Sequence, residues 1–414
     1  MTETPAAPAA LRVVTPRYGE AVVGGAERLA RMLAEWLAGA GWRVEVFTTC
    51  ALDAATWRDE LEPGVAVESG VVVRRFRVRA PRRPRMFHEL SRGFFRLPAG
   101  LRPEAAWLAL QGPWSPSLLG ALQTAGPMPA LFVPYLYQPT VVGLPAYRGP
   151  RLMLPAAHDE GPLQLRAVGA ALQAADGLLF GTEEEREIVV ARHPAAASRP
   201  YAVGNVGITV PAGVDAARFR ARLGLGAEEP YLLYGGRVAP GKGMEELLGG
   251  VRLLRDRGAG VRLVLTGEAG TVVPASDGVL PVGRLDEASR WDALAGAAAV
   301  VVPSFHESLS LLALEAWALG RPVLANGASP VLRGQVARSD GGIAYRGAAG
   351  LAEGALRLLA EPVLAAAMGA SGRDWVASTY RWEAVRDRVA SLISGALPAA
   401  AARGWAAAGP GAGG

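Results

Sequence analysis

The chain has 414 residues, half of them apolar and a fifth charged, enough for two or three packed domains. This excludes a mostly disordered polypeptide and a small disulfide-stapled scaffold. The formal charge is +5, and among 43 basic residues only Lys242 is a lysine, all the others being arginine.

The first ten residues carry acid and proline without the basic-then-apolar order of a secretory signal, and are expected to be disordered. Leu11–Thr15 reads as a short apolar strand, followed by a loop holding Gly19, Gly24 and Gly25. Leu29, Met32, Leu33, Trp36 and Leu37 then recur at helical spacing, Gly39 and Gly41 end the helix, and Trp42–Thr49 is the next strand. This strand, glycine loop, helix, strand order predicts a βαβ unit and a parallel sheet with helices on its faces. The single cysteine, Cys50, permits no internal disulfide and suits a reducing compartment.

Between Arg74 and Arg102 ten arginines face one acid, Glu89, with Phe76, Phe87, Phe94 and Phe95 interleaved. The next stretch, Ala105 to Tyr147, is uncharged for 43 residues, but seven prolines leave no uninterrupted apolar helix long enough to span a membrane. A cytoplasmic protein is the expectation. Further strands are predicted at Ala130–Val133, Arg151–Ala156 and Gly177–Phe180, with helices near Leu163–Ala174 and from Thr182. Gly204 to Glu229 is turn-rich, with a short amphipathic piece at Ala216–Leu223, and reads as a connection.

The alternation then restarts with strands at Tyr231–Tyr234, Val261–Leu265, Ala298–Val302 and Pro322–Ala325. Helices fall between them at Met244–Arg255, Glu287–Ala295 and Leu309–Leu319. Two doubly wound α/β halves facing each other across a cleft are the simplest architecture, with ligands beyond the carboxyl ends of the strands. The expected boundaries are 11–208 for the first domain, 209–229 for a linker and 230–381 for the second domain. A final helix over 382–398 follows, then a disordered Ala/Gly tail over 399–414.

Two constellations carry chemistry. In the first, the strand at Tyr231 ends in Gly235-Gly236-Arg237, and Gly241-Lys242-Gly243 follows just before a helix. Glycines let backbone amides approach an anion, a guanidinium forks onto two oxygens, and an ammonium adds a compact charge, which suits a diphosphate. Gly236 to Lys242 also matches a Walker A loop up to its last position, where Gly243 replaces the magnesium-binding hydroxyl, so a P-loop NTPase lacks its decisive residue. In the second, Glu307 and Glu315 are separated by seven residues at the mouth of a helix expected to start near Ser308 or Leu309. Carboxylates accept from vicinal hydroxyls, and the amides of Ser308, Leu309, Ser310 and Leu311 would point at the same ligand.

In this order the motifs resemble the family 4 (group 1) retaining glycosyltransferases of the GT-B architecture. The resemblance rests on Gly236-Arg237 with Lys242-Gly243, on Glu307 and Glu315, on Arg321-Pro-Val-Leu-Ala325, on Gly24-Gly25-Ala-Glu27 and on His158-Asp159-Glu160, and spans about residues 11 to 385. It implies two Rossmann-like domains and an enzyme of the glycosyltransferase class. It also implies a nucleotide-diphosphate sugar as co-substrate, a hydroxyl acceptor, retention of configuration, and no metal or bound cofactor. By position, Arg237 and Lys242 would hold the diphosphate, Glu315 the ribose and Glu307 the transferred sugar. Amides of Ser308 to Leu311 would bind sugar hydroxyl or phosphate, Gly24 and Gly25 would close over the phosphates, Leu285 would lie near the base, and His158 near the anomeric carbon and acceptor. The helix after Tyr380-Arg-Trp382 would cross back to the first domain. An epimerase or phosphorylase of the same architecture and a non-catalytic sugar-binding module remain alternatives.

On the acceptor side, Trp107, Trp114, Phe132, Tyr135, Tyr137 and Tyr147 are expected mainly as core, with a platform for a sugar or lipid as the other reading. The arginine run is either a solvated face or a patch for an anionic membrane surface, with peripheral attachment to its inner face. No nucleic-acid module accompanies it.

Overall fold

The computed structural model describes residues 9–226, 229–238, 241–267 and 278–405. They form two compact units, Met1–Val206 with Trp382–Gly414, and Gly207–Arg381.

The first unit contains β1 (Ala10–Val14), β2 (Arg43–Thr49), β3 (Gly64–Glu68), β4 (Val71–Phe76), β5 (Ala130–Phe132), β6 (Arg151–Met153), β7 (Gly177–Phe180) and β8 (Tyr201–Val203). Their order is β3-β4-β2-β1-β5-β6-β7-β8, and every pair is parallel except the β3–β4 hairpin. The inner strands are apolar on both faces because helices cover both sides of the sheet. Arg12, buried in β1, is satisfied: Nε donates to Glu45 Oε2 at 2.9 Å, Nη1 to the Tyr147 hydroxyl at 2.6 Å, and the guanidinium lies over Phe47. The hairpin has no counterpart in the strands expected from the sequence. Its turn is Ser69-Gly70, both at positive φ, as a two-residue hairpin loop requires.

The second unit contains β9 (Tyr231–Gly235), β10 (Arg262–Thr266), β11 (Val279–Gly283), β12 (Ala299–Val302), β13 (Val323–Asn326) and β14 (Gly342–Tyr345). All pair in parallel in the order β11-β10-β9-β12-β13-β14. This is a doubly wound sheet whose order reverses between β9 and β12, where ligands of such sheets bind. The first unit has the same reversal between β1 and β5.

The segment expected as a linker, 209–229, is not a bare connection. Asp215 caps the helix Ala216–Leu223 by accepting from the Ala217 amide at 2.9 Å, and this helix packs on the helix Glu287–Gly296. Phe219 is buried beside Tyr231, and Arg218 pairs with the buried Asp292 at 2.6 Å. The apolar spacing of so short a helix does not reveal what it packs against.

The chain returns to the first unit through the helix Trp382–Ala402, which packs on β6, β7 and β8. Trp382 stacks on Trp36 with ring centroids 5.4 Å apart, and Val385, Val389 and Leu392 are buried. The helix continues past the end expected at 398. Alanines favour the helix, Ala400 is buried, and Arg403 closes on Asp176 at 2.6 and 2.9 Å. At the other end β1 already includes Ala10, so the disorder expected over 1–10 and 399–414 does not hold for 10 and 399–402. The remaining expected disorder, over 1–8 and 406–414, lies outside the described residues. Among the described residues no helix is long and apolar enough to cross a membrane.

Removing residues 399–414 should therefore cost about 2 kcal/mol through loss of the charge-assisted bonds to buried Asp176. In a thermal melt the truncated chain unfolds several degrees below the full chain, whereas a dispensable tail would leave the melting temperature unchanged.

Candidate functional site

The reversal between β9 and β12 brings the two chemical motifs of the second unit together. After β9 the chain runs through Gly236 and the exposed Arg237, whose carbonyl accepts from the Tyr234 hydroxyl at 2.9 Å. Burial, and next the charge of Glu307, push the Tyr234 phenol up to about 12, so it stays a donor. Lys242 Nζ then donates to Glu307 Oε1 at 3.2 Å, across a sequence separation of 65 residues. Both side chains are partly exposed, so the pair is open to a ligand.

Gly243 sets this arrangement. It has φ +71°, and a Cβ there would fall 1.9 Å from the carbonyl oxygen of Pro303, the residue after β12. The two loops are thus in backbone contact at the residue where a P-loop would need Ser or Thr. Helix Met244–Asp256 starts immediately afterwards, and its Glu246 accepts from Asn326 Nδ2 at 3.3 Å, the same amide that donates to the Pro303 carbonyl at 3.0 Å.

The second motif departs from expectation in register. The helix runs Leu311–Ala318, with Ser310 as N-cap accepting from the Ala313 amide at 3.2 Å, so Glu307 stands in the preceding loop. Ser304, Ser308 and Ser310 are all N-cap residue types, and only the tertiary fold selects the last. The four amides from Ser308 to Leu311 differ in burial and partners. Leu309 and Ser310 are buried, and the Ser310 amide is taken by Gln335 Oε1 at 3.2 Å. Glu315 is only 1% exposed, and the Arg290 guanidinium hydrogen-bonds its carboxylate from the helix Glu287–Gly296. Arg290 also holds Glu287 at 2.7 Å. Its burial works against the charge, but the two carboxylates outweigh it and raise its pKa. Glu315 is therefore a fixed, paired carboxylate. Arg290 had only its i, i+3 spacing from Glu287 to mark it in the sequence. Leu285, in the loop after β11, is half-buried, and Asp286 caps the helix that carries Arg290.

In the first unit, Gly24 is the N-cap of the helix Gly25–Gly39, and a Cβ on it would lie 2.1 Å from Glu27 Oε2. Glu27 is buried against Arg17, whose Nε donates to it at 3.0 Å. Arg17 also donates to the carbonyls of Leu52 at 2.7 Å and Val23 at 3.1 Å, pinning the glycine loop to the segment after β2. Gly25 has open space around it.

His158 lies in the loop after β6. That strand stops at Met153 rather than Ala156, two residues before Pro155, which has no amide to continue the ladder. His158 Nδ1 is 3.3 Å from Glu160 Oε1, which accepts from the Tyr135 hydroxyl at 2.8 Å, and Asp159 takes a forked contact from Arg192. Beneath this loop is a residue that sequence reasoning missed, Glu185. It is fully buried and accepts from the amides of Ala157 at 2.8 Å and Gly181 at 2.6 Å. Its one sequence signal is the Thr182-x-x-Glu185 capping pattern.

The aromatics of the uncharged stretch are mostly core: Trp107, Phe132, Tyr135 and Tyr147 are buried, while Trp114 and Tyr137 are half-buried. The close approach at Gly243 carries a prediction. Gly243→Ser, which completes the Walker A pattern, should destabilise the fold by about 2 kcal/mol or more, lowering the melting temperature by roughly 4 °C, without conferring ATP hydrolysis. An unchanged melt would show that the two loops are not in contact there.

Comparison with known proteins supplies the family. Residues 24–205 match the family described as glycosyl transferase 4-like domain, and residues 229–361 the one described as glycosyl transferases group 1. The D-inositol 3-phosphate glycosyltransferase of Streptomyces avermitilis is 28% identical over 93% of this chain and 85% of its own length. That of Segniliparus rotundus is 34% identical over 47% of this chain and 49% of its own. Among solved structures, sucrose-phosphate synthase from Thermosynechococcus elongatus superposes with a TM-score of 0.66 at 24% identity, covering 94% of this chain and all of that one. Anabaena HepE in complex with UDP and glucose does so with a TM-score of 0.68 at 15% identity, over 93% of this chain and 99% of that one. At such identities these superpositions establish the fold, and the two family matches, one on each sheet, establish the lineage. The chain belongs to the group 1 glycosyltransferases of the GT-B fold, enzymes of glycosyl transfer.

Proposed function

We propose that the second unit binds a nucleotide-diphosphate sugar, whose sugar is transferred to a hydroxyl acceptor with retention of configuration and without a metal ion. The observation that carries this reading is the Lys242–Glu307 contact at the sheet's reversal, beside the exposed Arg237. Arg237 and Lys242 bind the two phosphates and stabilise the charge that develops as the diphosphate leaves. As Lys242 turns to phosphate, its former partner Glu307 becomes an acceptor for a hydroxyl of the transferred sugar. Glu315, held in place by Arg290, accepts from the ribose. The Ser310 amide is engaged by Gln335, so backbone contacts to the donor come from the rest of the 308–311 segment.

No protein nucleophile is required. The bond from the anomeric carbon to the phosphate oxygen breaks as the acceptor oxygen bonds on the same face, and the departing phosphate oxygen takes the acceptor proton. Such a step depends on orientation and fixed charge. His158 in the first unit serves the acceptor. HepE structures have been solved in complex with UDP and with UDP-glucose, which supports testing uridine nucleotides first.

Donor binding is read by a thermal-shift panel of nucleoside diphosphates and nucleotide sugars on the full chain. At least one should raise the melting temperature; if none does, the donor reading fails. With the donor so identified, Glu307→Ala should lower transfer or donor hydrolysis by about a hundredfold while the fold persists. Equal rates would remove Glu307 from the reaction, and no transfer or donor hydrolysis by the wild type would favour a binding module over an enzyme.

A second reading concerns the partner of the arginine run, most of which the structure assigns. Arg74 pairs with Glu45, Arg75 with Glu68, Arg77 with Asp59 and Arg92 with Glu89, and Arg82 and Arg102 are bound to main-chain carbonyls. Arg79, Arg83, Arg85 and Arg96 remain exposed in and around the helix Pro84–Arg96, which also exposes Met86 (45%) and Leu90 (48%). Cations flanking apolar side chains suit an anionic lipid surface. The chain should sediment with phosphatidylserine vesicles at low salt, and Arg83→Glu with Arg85→Glu should abolish this. Absence of binding by the wild type at low salt would remove this reading.

A further inference from the structure

We propose that Glu185 is a positioning residue for His158: its buried carboxylate fixes the main chain that presents the imidazole. The inference rests on the assignment of His158 to the acceptor side and deepens it.

Glu185 is the third residue of the helix Glu183–Arg192, whose N-cap Thr182 accepts from the Glu185 amide at 3.1 Å. In an ordinary capping box the glutamate would turn back on the amide of its own N-cap. Here the two carboxylate oxygens reach further amides. One accepts from Gly181 at 2.6 Å, at the end of β7, and the other from Ala157 at 2.8 Å, the residue directly before His158. The carboxylate thus ties the loop after β6 to the loop after β7.

Two features show that this tie is maintained at a cost. A fully buried carboxylate whose acceptor capacity goes to amides is expensive compared with an apolar side chain of similar size. Burial pushes the Glu185 carboxyl up to about 7, against the opposing pull of the Gly181 and Ala157 amides. In addition, Ala156 stands at φ +50°, a left-handed conformation that is strained for a residue with a Cβ and persists only where its surroundings impose it. Ala157, which the carboxylate holds, and Ala156 precede His158 by one and two residues. On its other side, the imidazole meets Glu160, itself held by Tyr135. The loop is therefore braced from both directions, and its partly exposed end is the histidine.

The test uses the full chain with 13C-labelled histidine. It contains four histidines, His88, His158, His193 and His306, and the His158 resonance is assigned with His158→Ala. Glu185→Gln can accept only one amide and sets an NH2 group against the other. It should move or broaden the His158 resonance alone, with the other three unchanged. With the donor identified by the thermal-shift panel, kcat should fall roughly tenfold to a hundredfold with donor KM within about twofold. If Glu185→Gln fails to fold, Glu185→Asp, one methylene too short to span both amides, should give the same signature. An unmoved His158 resonance, or equal movement of all four, overturns the proposal. If His158→Ala turns over like the wild type, the role of His158 fails separately, because the resonance reports the brace without any activity.

Discussion

The candidate site of the second unit depends on a backbone contact. The Cα of Gly243 sits so near the Pro303 carbonyl that no side chain fits between them. Because of that approach, the loops after β9 and β12 share one wall, and Lys242 and Glu307 come within a hydrogen bond of each other. The parallel order of the sheet puts these two strands side by side, and the glycine lets their loops touch. Electrostatics then follows from geometry: a lysine and a carboxylate meet in a partly exposed position where either can exchange its partner for a ligand group. Arg290 and Gln335 do comparable work one layer down, fixing Glu315 and the amide of Ser310.

The first unit solves a similar problem with charges rather than glycine alone. Arg17 and Glu27 hold the loop of Gly24 from below, and Glu185 holds the loop of His158. All three are buried ionisable side chains satisfied mainly at short range, and each braces a loop at the carboxyl end of a parallel strand. Buried charge of this kind is a poor way to gain stability but a good way to specify one loop conformation.

Much of this was legible in the sequence. The strands at Gly177 and Tyr231 and the helix from Met244 were visible because apolar runs bounded by glycine survive any tertiary context. The motifs Arg237–Lys242 and Glu307–Glu315 were visible because Lys242 is the single lysine of an arginine-rich chain and Glu315 stands in an apolar helix. The β3–β4 hairpin was not, because Val65 and Val67 are exposed and the arginines of β4 mask its alternation. The start of the helix at Leu311 was ambiguous among several serines. Arg290 and Glu185 escaped notice because their roles depend on partners 25 and 28 residues away, which no local spacing encodes. The single lysine was the most informative residue of the composition, and the structure places it at the contact on which the donor reading depends.

That reading is tested most directly by calorimetric titration of the full chain with a nucleoside diphosphate and its parent nucleoside, for wild type and for Lys242→Arg. The account predicts that the diphosphate binds far more tightly than the nucleoside. It also predicts a loss of about tenfold or more in Lys242→Arg despite the conserved charge, because a planar guanidinium cannot replace a compact ammonium beside Glu307. Equal affinity of both proteins for the diphosphate, or no preference for it over the nucleoside, would contradict it.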